Sequence, residues 1–324
     1  MLPKRRVFAT RRPLLSVVVP CYNETDVLAH THERLSRVLD ALPEFDTEQI
    51  YVDDGSADGT WDLINSLVRR SGSTRAIRLS RNFGHQGACL AGLRESRGDA
   101  VVVIDADLQD PPEVITEMAA RWLEGWSVVS ARRRSRAGET VFKRATAAAF
   151  YRVLSAVSDR PPELDTGDFR LMDRELVDLL SASPEQDLYL RGAVSWFGLP
   201  ETSVTFDRAA RFAGTTKYTL RKMLALSRNG LLANSSLPLR LPAYLGALTL
   251  IGGATAATLR RDVRLLASSG AFGVQALALG VVGEYLGAVL RQVRGRPHYV
   301  VGERLEAIGA SVPEPVHLEE RVAL

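Results

Sequence analysis

The sequence predicts an α/β fold built on a mostly parallel, doubly wound sheet. Two observations predict it. Short apolar, β-branched runs alternate with segments of helical period over about 115 residues. Three of those runs stop abruptly in polar or acidic residues, as strands do where they reach a ligand-binding rim.

The elements follow in order. "LLSVVVP" (14–20) reads as a buried strand, and "ETDVLAHTHERLSRVLDAL" carries apolar residues at helical spacing. "QIYVDDGS" is a second strand ending in acids, and "GTWDLINSLVRR" a second helix. "RAIRLS" is a third strand, leading into the Gly-rich helix "RNFGHQGACLAGLRES". "DAVVVIDAD" is a fourth strand, and "PPEVITEMAARWLEG" a helix with Pro in its first turn. The polar ends Pro20 to Glu24, Asp53 to Ser56 and Asp105 to Asp107 are expected to converge on one rim.

Composition sets bounds. The chain has 324 residues, 46% of them hydrophobic, enough for one large domain or two. Net charge is only +3, which does not suit a protein that coats nucleic acid. Basic residues cluster in "KRRVFATRR" (4–12) and "ARRRSR" (131–136), runs that read as solvated faces and also suit anionic membranes or phosphates. Arg133, Arg134 and Arg136 are read as facing solvent or headgroups. Cys21 and Cys89 have neither metal nor disulfide spacing, so a reducing compartment and two small core residues are expected. No apolar run of signal-peptide type precedes Pro20. The histidines form no ligand-spaced set.

After about residue 235 the character changes. Residues 241–259 and 265–283 are two uncharged stretches of nineteen residues, each about one bilayer core long and rich in Gly and Ala. They predict a spanning hairpin over 236–292, with helices near 241–259 and 265–287. Arginines before and after the pair place both ends in the cytosol, while the linker "RRDVR" opposes that orientation. A shallow re-entrant hairpin is the alternative. The domain reading is a basic tail over 1–13, a catalytic domain over 14–235, the hairpin, and a cytosolic tail over 293–324.

"VVVIDADLQDPPE" holds the chemistry. Carboxylates spaced Asp-x-Asp at a strand end are hard oxygen ligands suited to Mg²⁺ or Mn²⁺, usually with a diphosphate as the metal's other ligand. Asp110, just before Pro111, is read as a helix cap. No GxGxxG follows the first strand and no GxxxxGK[ST] occurs, so dinucleotide and P-loop readings fail.

Seven ordered motifs, "SVVVPCYNE", "YVDDGSADGT", "SRNFGHQGACLAGL", "IDADLQDPPE", "TGDFRLMDR", "RFAGTTKY" and "GEYLGAVLRQVRGRPHYVV", resemble the polyprenyl-phosphate branch of family 2 glycosyltransferases. The likeness runs from Leu14 to Val301, and the bacterial bactoprenol type is the nearest pattern. It implies a GT-A fold and inverting transfer of a hexose, from UDP-glucose in the favoured reading, to undecaprenyl phosphate. GDP-mannose or UDP-GlcNAc as donor, or a polysaccharide-type enzyme with a non-lipid acceptor, are the alternatives. A degenerate membrane scaffold is a third reading.

By position, the resemblance implies that Pro20, Tyr22, Glu24 and Asp54 hold base and ribose, with Asp53 structural. Asp105 lies near ribose or sugar. Asp107 and Gln109 hold Mg²⁺ or Mn²⁺, with Asp107 also on the donor side. Asp168 is the catalytic base or acceptor organiser. A phosphate monoester is already mostly a dianion at pH 7, so Asp168 is also read as gripping a sugar hydroxyl or orienting an arginine. Arg211 and Lys217 clamp the diphosphate. Arg132, Lys143, Arg144 and Arg170 receive the lipid phosphate. "KRATAAAF" offers Thr146 where the family often has a hydroxyl. The same resemblance implies a multi-pass protein of the bacterial inner membrane with its catalytic domain cytosolic, and a homo-oligomer, tetramers occurring among relatives.

Overall fold

The computed structural model describes residues 6, 8, 11–133, 166–185, 190–207 and 264–306. Elements run β1 (Leu14–Cys21), α1 (Leu28–Asp40), β2 (Asp46–Asp53), α2 (Thr60–Val68), β3 (Thr74–Leu79), α3 (His85–Glu95), β4 (Ala100–Val103), α4 (Val114–Leu123) and β5 (Val128–Arg133). After these come β6 (Thr166–Asp173), α5 (Arg174–Ala182), α6 (Leu190–Trp196), β7 (Glu201–Phe206), α7 (Arg264–Arg294) and β8 (Val301–Leu305). The strands form one eight-stranded sheet in the order β7-β5-β6-β4-β1-β2-β3-β8.

The central strands β4, β1, β2 and β3 are parallel, as the alternating pattern predicts. The flanks differ. β6 runs antiparallel to both β4 and β5, and β8 antiparallel to β3, so the sheet is mixed. The strand period divides the core cleanly. Leu15, Val17 and Val19 of β1 face one layer with α1, α2 and α4, while Val18 faces the other with α3, α5 and α6. Both faces are covered, which is why these strands read as continuous apolar runs rather than alternating ones.

α3 lies tight on the sheet because Gly92 permits it. A Cβ at Gly92 would sit 3.0 Å from Val52 Cγ2 and closer still to Val18 Cγ1. Gly92→Ala should therefore push α3 off the sheet and destabilise the protein by about 1–3 kcal/mol, the usual penalty for overpacking. A fall in the thermal midpoint of a few degrees checks this, and an unchanged midpoint would mean that Val18 simply rotates away.

Four sequence readings change here. Residues 301–305, read as part of a cytosolic tail, form the edge strand β8. Arg75 draws β8 in, pairing with Glu306 at 2.9 Å and with buried Glu48 at 3.2 Å. The described residues of the basic N-terminal run are also docked. Arg6 pairs with Asp173 and lies over Trp122, Phe8 stacks on Trp122, and Arg11 and Arg12 pair with Asp99 and Asp46. Arg133 turns inward to Asp110, 3.6 Å away, because Asp110 is buried and needs a counter-charge. Asp110 thus braces the loop, and no side chain caps α4.

The first apolar stretch, 241–259, lies outside the described residues; the second falls within α7, which is 31 residues long. Among the described residues no helix is long and apolar enough to cross a membrane.

Candidate active site

The parallel strands β1, β2 and β4 bring three loops to one rim, as their spacing predicts. The β1 loop is stitched to the β2 loop: Asn23 N–H donates to Ser56 Oγ, Ala57 N–H to Asn23 Oδ1, and Glu24 N–H to Thr60 Oγ1, each at 2.9 Å. Asn23 adopts a left-handed backbone (φ +54), and so does Leu108 (φ +57) between Asp107 and Gln109. Non-glycine residues take that conformation at a cost, and such residues cluster at functional sites. Both lie in loops that the sequence marks as binding loops.

Pro20 lies one residue before the end of β1, inside the sheet, and Tyr22 follows the strand with its side chain exposed at the rim. Glu24 is half-buried beside it. Asp54 is tied into the protein itself. Its two carboxylate oxygens accept the N–H groups of Phe83 (2.7 Å) and Gly84 (2.9 Å), and burial pushes its carboxyl up against those bonds. It thereby fixes the start of α3. Asp53 is buried too, accepting Ser56 N–H at 3.1 Å and facing Arg78 at 3.2 Å. Gly55 closes this turn (φ +67) against the backbone of Arg81.

Asp107 accepts the N–H of Gln109 at 3.1 Å, so the two residues expected to hold metal share one tight turn. Among the described residues no cluster of three or more His, Cys, Asp or Glu side chains forms a ready metal cage. One carboxylate and one amide oxygen are a partial set of hard donors. That fits Mg²⁺ or Mn²⁺, which protein sites commonly hold through one or two side chains with phosphate oxygens completing the shell.

β6 reaches the rim from the opposite direction. Val103 pairs with Arg170 in antiparallel register, so two residues after Val103 and two before Arg170, Asp105 comes to face Asp168. Asp168 is 11% exposed, and both its oxygens engage Arg191 of α6 at 2.8 Å. His85 Nε2 stands 3.2 Å from the same carboxylate. Burial pushes the Asp168 carboxyl up, but the Arg191 fork and His85 overcome it and hold it well below the usual range. Both oxygens are thus engaged by Arg191, and the structure shows an aspartate orienting an arginine. Asp105 is more open, 40% exposed. Partial burial raises its carboxyl, His85 opposes that, and the nearby Asp168 and Asp107 add to it.

Arg170 is buried beside Asp168 and donates to the Gly167 carbonyl at 2.9 Å. It braces β6 rather than presenting an exposed cation. Arg132 is exposed at the end of β5, with Thr166 as its register partner, close to Asp168 in sequence. Lys143, Arg144, Arg211 and Lys217 lie outside the described residues.

Sequence reasoning missed His85 and Arg191. Neither stands in an acidic strand-end motif, and their sequence neighbours give no hint of Asp168. The available signal was the glycine before His85, which sets the start of a helix at the rim, and the placement of Cys89 one turn on, its sulfur 3.5 Å from His85 Nε2.

Comparison with known proteins agrees with this geometry. Residues 16–180 match the family described as Glycosyl transferase family 2. An uncharacterized glycosyltransferase, YkcC, of Bacillus subtilis (strain 168) is 43% identical over 299 residues, covering 88% of this chain and 92% of its own. The SfII prophage-derived bactoprenol glucosyl transferase of Shigella flexneri is 34% identical over 300 residues, covering 89% and 97%. A prophage bactoprenol glucosyl transferase homolog of Escherichia coli (strain K12) is 34% identical over 303 residues, covering 89% and 98%. With its family motifs at the strand ends and relatives aligned along most of its length, the chain belongs to glycosyl transferase family 2 and is a glycosyltransferase.

Proposed function

We propose that this enzyme transfers a hexose from a nucleotide-diphosphate sugar to a polyprenyl phosphate, with inversion, at the cytosolic face of the bacterial inner membrane. UDP-glucose and undecaprenyl phosphate are the favoured pair. The observation that carries the reading is the facing of Asp105 and Asp168 across the rim, beside the strained Asp107–Gln109 turn. The relatives named for bactoprenol glucosyl transfer support the acceptor class.

In this reading Tyr22 and Glu24 meet the base and ribose, and Asp105 the ribose or sugar. Asp107 and Gln109 hold Mg²⁺ or Mn²⁺, whose charge would offset that developing on the leaving diphosphate. Arg211 and Lys217 clamp the same diphosphate. Asp168 keeps Arg191 aimed into the cleft. The acceptor phosphate, mostly a dianion at pH 7, attacks without needing a base. Arg132, with Lys143 and Arg144, receives it. Membrane seating follows from the acceptor's chemistry, and is favoured by the apolar side chains that α7 exposes at Leu279, Leu286 and Val293.

Labelled nucleotide sugars incubated with membranes holding the protein test the reading. Label should enter an organic-extractable, mild-acid-labile lipid, with UDP-glucose ahead of GDP-mannose and UDP-GlcNAc. Label found instead in a non-lipid polymer would favour a polysaccharide synthase. Arg132→Ala should raise KM for lipid phosphate about tenfold or more while leaving donor KM nearly unchanged, since the lost contact is to one anion. Equal effects on both would move Arg132 to the donor side.

A further inference from the structure

His85 is fixed from several sides. It opens α3 directly after Gly84, whose φ of +92 and whose N–H, held by Asp54, set the direction of the helix. Gln86 accepts the N–H of Leu190 at 3.1 Å, tying the same turn to α6. The ring therefore has a defined place. Its Nε2 lies 3.2 Å from Asp168 Oδ2 and 3.6 Å from Asp105 Oδ1. Asp105 belongs to the loop that continues into Asp107, and Asp168 to β6, so one nitrogen joins two loops from strands of opposite direction.

We propose that His85 is a positioning residue for glycosyl transfer, its Nε2 clasping the donor-side carboxylate Asp105 to the acceptor-side carboxylate Asp168 and so fixing the gap that the sugar crosses. The proposal rests on the roles given to Asp105 and Asp168 under Proposed function. Two carboxylates facing one cleft repel each other, and a cation between them removes the tendency to splay. Arg191 already gives its fork to Asp168, which leaves His85 to hold Asp105.

The charges around the ring favour its protonated form. They come from Asp105 beyond β4, Asp168 on β6 and Asp54 beyond β2, with the Cys89 thiol of α3 in contact and the Arg191 guanidinium of α6 opposing from behind Asp168. The Cys89 sulfur and then, against burial, Asp168 hold the imidazole well above its ordinary range. Burial raises the Cys89 thiol itself, so at neutral pH it is uncharged and Asp168 is the operative anion. A raised value means that the clasp is charged below it and weakens as pH rises through it.

Steady-state transfer by the full-length protein, with labelled nucleotide sugar and polyprenyl phosphate, tests this. His85→Ala should lower kcat about a hundredfold, the scale of a 1 Å misplacement, with donor KM within about threefold. His85→Gln, whose amide nitrogen reaches a similar point as an uncharged donor, should recover about tenfold and lack the alkaline fall expected of the wild-type kcat profile. Unchanged kcat in His85→Ala overturns the proposal. So does a loss that Gln does not relieve together with an alkaline fall that stays in place, which would mark a merely structural histidine. Wild-type protein that transfers no sugar would sink the functional reading instead. The clasp is then read by NMR titration of the histidines, with His85 assigned through its Gln variant. Titration above the ordinary histidine range that returns toward it in Asp168→Asn supports the clasp, and titration that ignores Asp168→Asn overturns it.

Discussion

Asp107→Ala should lower sugar transfer about a thousandfold or more in metal-replete buffer, while the folded protein keeps its thermal midpoint. The size follows from the chemistry. Metal stabilisation of a departing diphosphate is worth several kcal/mol, and each 1.4 kcal/mol is tenfold in rate. The intact fold follows from position. Asp107 lies half-buried in a rim turn that Leu108 shapes through its backbone, while the core beneath is built by β4. Removing one of several clustered carboxylates also relieves repulsion. Asp107→Asn keeps an oxygen donor and should retain part of the activity at raised metal concentration. Donor binding measured by calorimetry with and without Mn²⁺ separates the two causes. Near-normal turnover of the alanine variant in replete metal would remove Asp107 from the metal site.

Arg191→Met should cost the fold about 3 kcal/mol at neutral pH, because it strands the buried Asp168 charge beside His85 alone. The pH dependence has a definite sign. Asp168 is held well below the ordinary carboxylate value of 3.8, so its pairing stabilises the fold above that value and is lost as pH falls below it. The stability gap between wild type and Arg191→Met should thus be full at pH 7 and shrink in acid. Urea unfolding at neutral pH and at about pH 3 measures it. The double variant Arg191→Met/Asp168→Asn should recover part of the loss, since a neutral amide tolerates burial better than an unpaired carboxylate. A gap that is constant with pH would mean that Arg191 stabilises by packing and that its fork with Asp168 is energetically idle.

Much of the site was legible because strand ends carry their own signal. An apolar run that stops in Asp-x-Asp, or in Pro-Cys-Tyr-Asn-Glu, states both where the strand ends and which polar groups gather there. The alternation of strands and helices likewise placed those ends on one rim. The inward turns of Asp54, Asp110 and Arg133 were not legible. Each depends on a partner far along the chain: the α3 backbone for Asp54, and the meeting of the β4 loop with β5 for the other two. Residue type alone does not distinguish a carboxylate that grips a ligand from one that braces a loop.

The sequence by itself determined the parallel centre of the sheet, the three rim loops, and the place of Asp107 and Gln109 just beyond β4, because these are local: hydrophobic period and turn chemistry act over a few residues. Only the tertiary structure decided that β6 runs antiparallel to β4, and with it that Asp168 faces Asp105. The same long-range pairing brought Arg191 and His85 to that carboxylate and recruited β8 to the sheet edge. Strand direction at a sheet's flank is set by which distant segment buries its face best, a balance of packing and loop closure over the whole domain. No short stretch of sequence records that outcome.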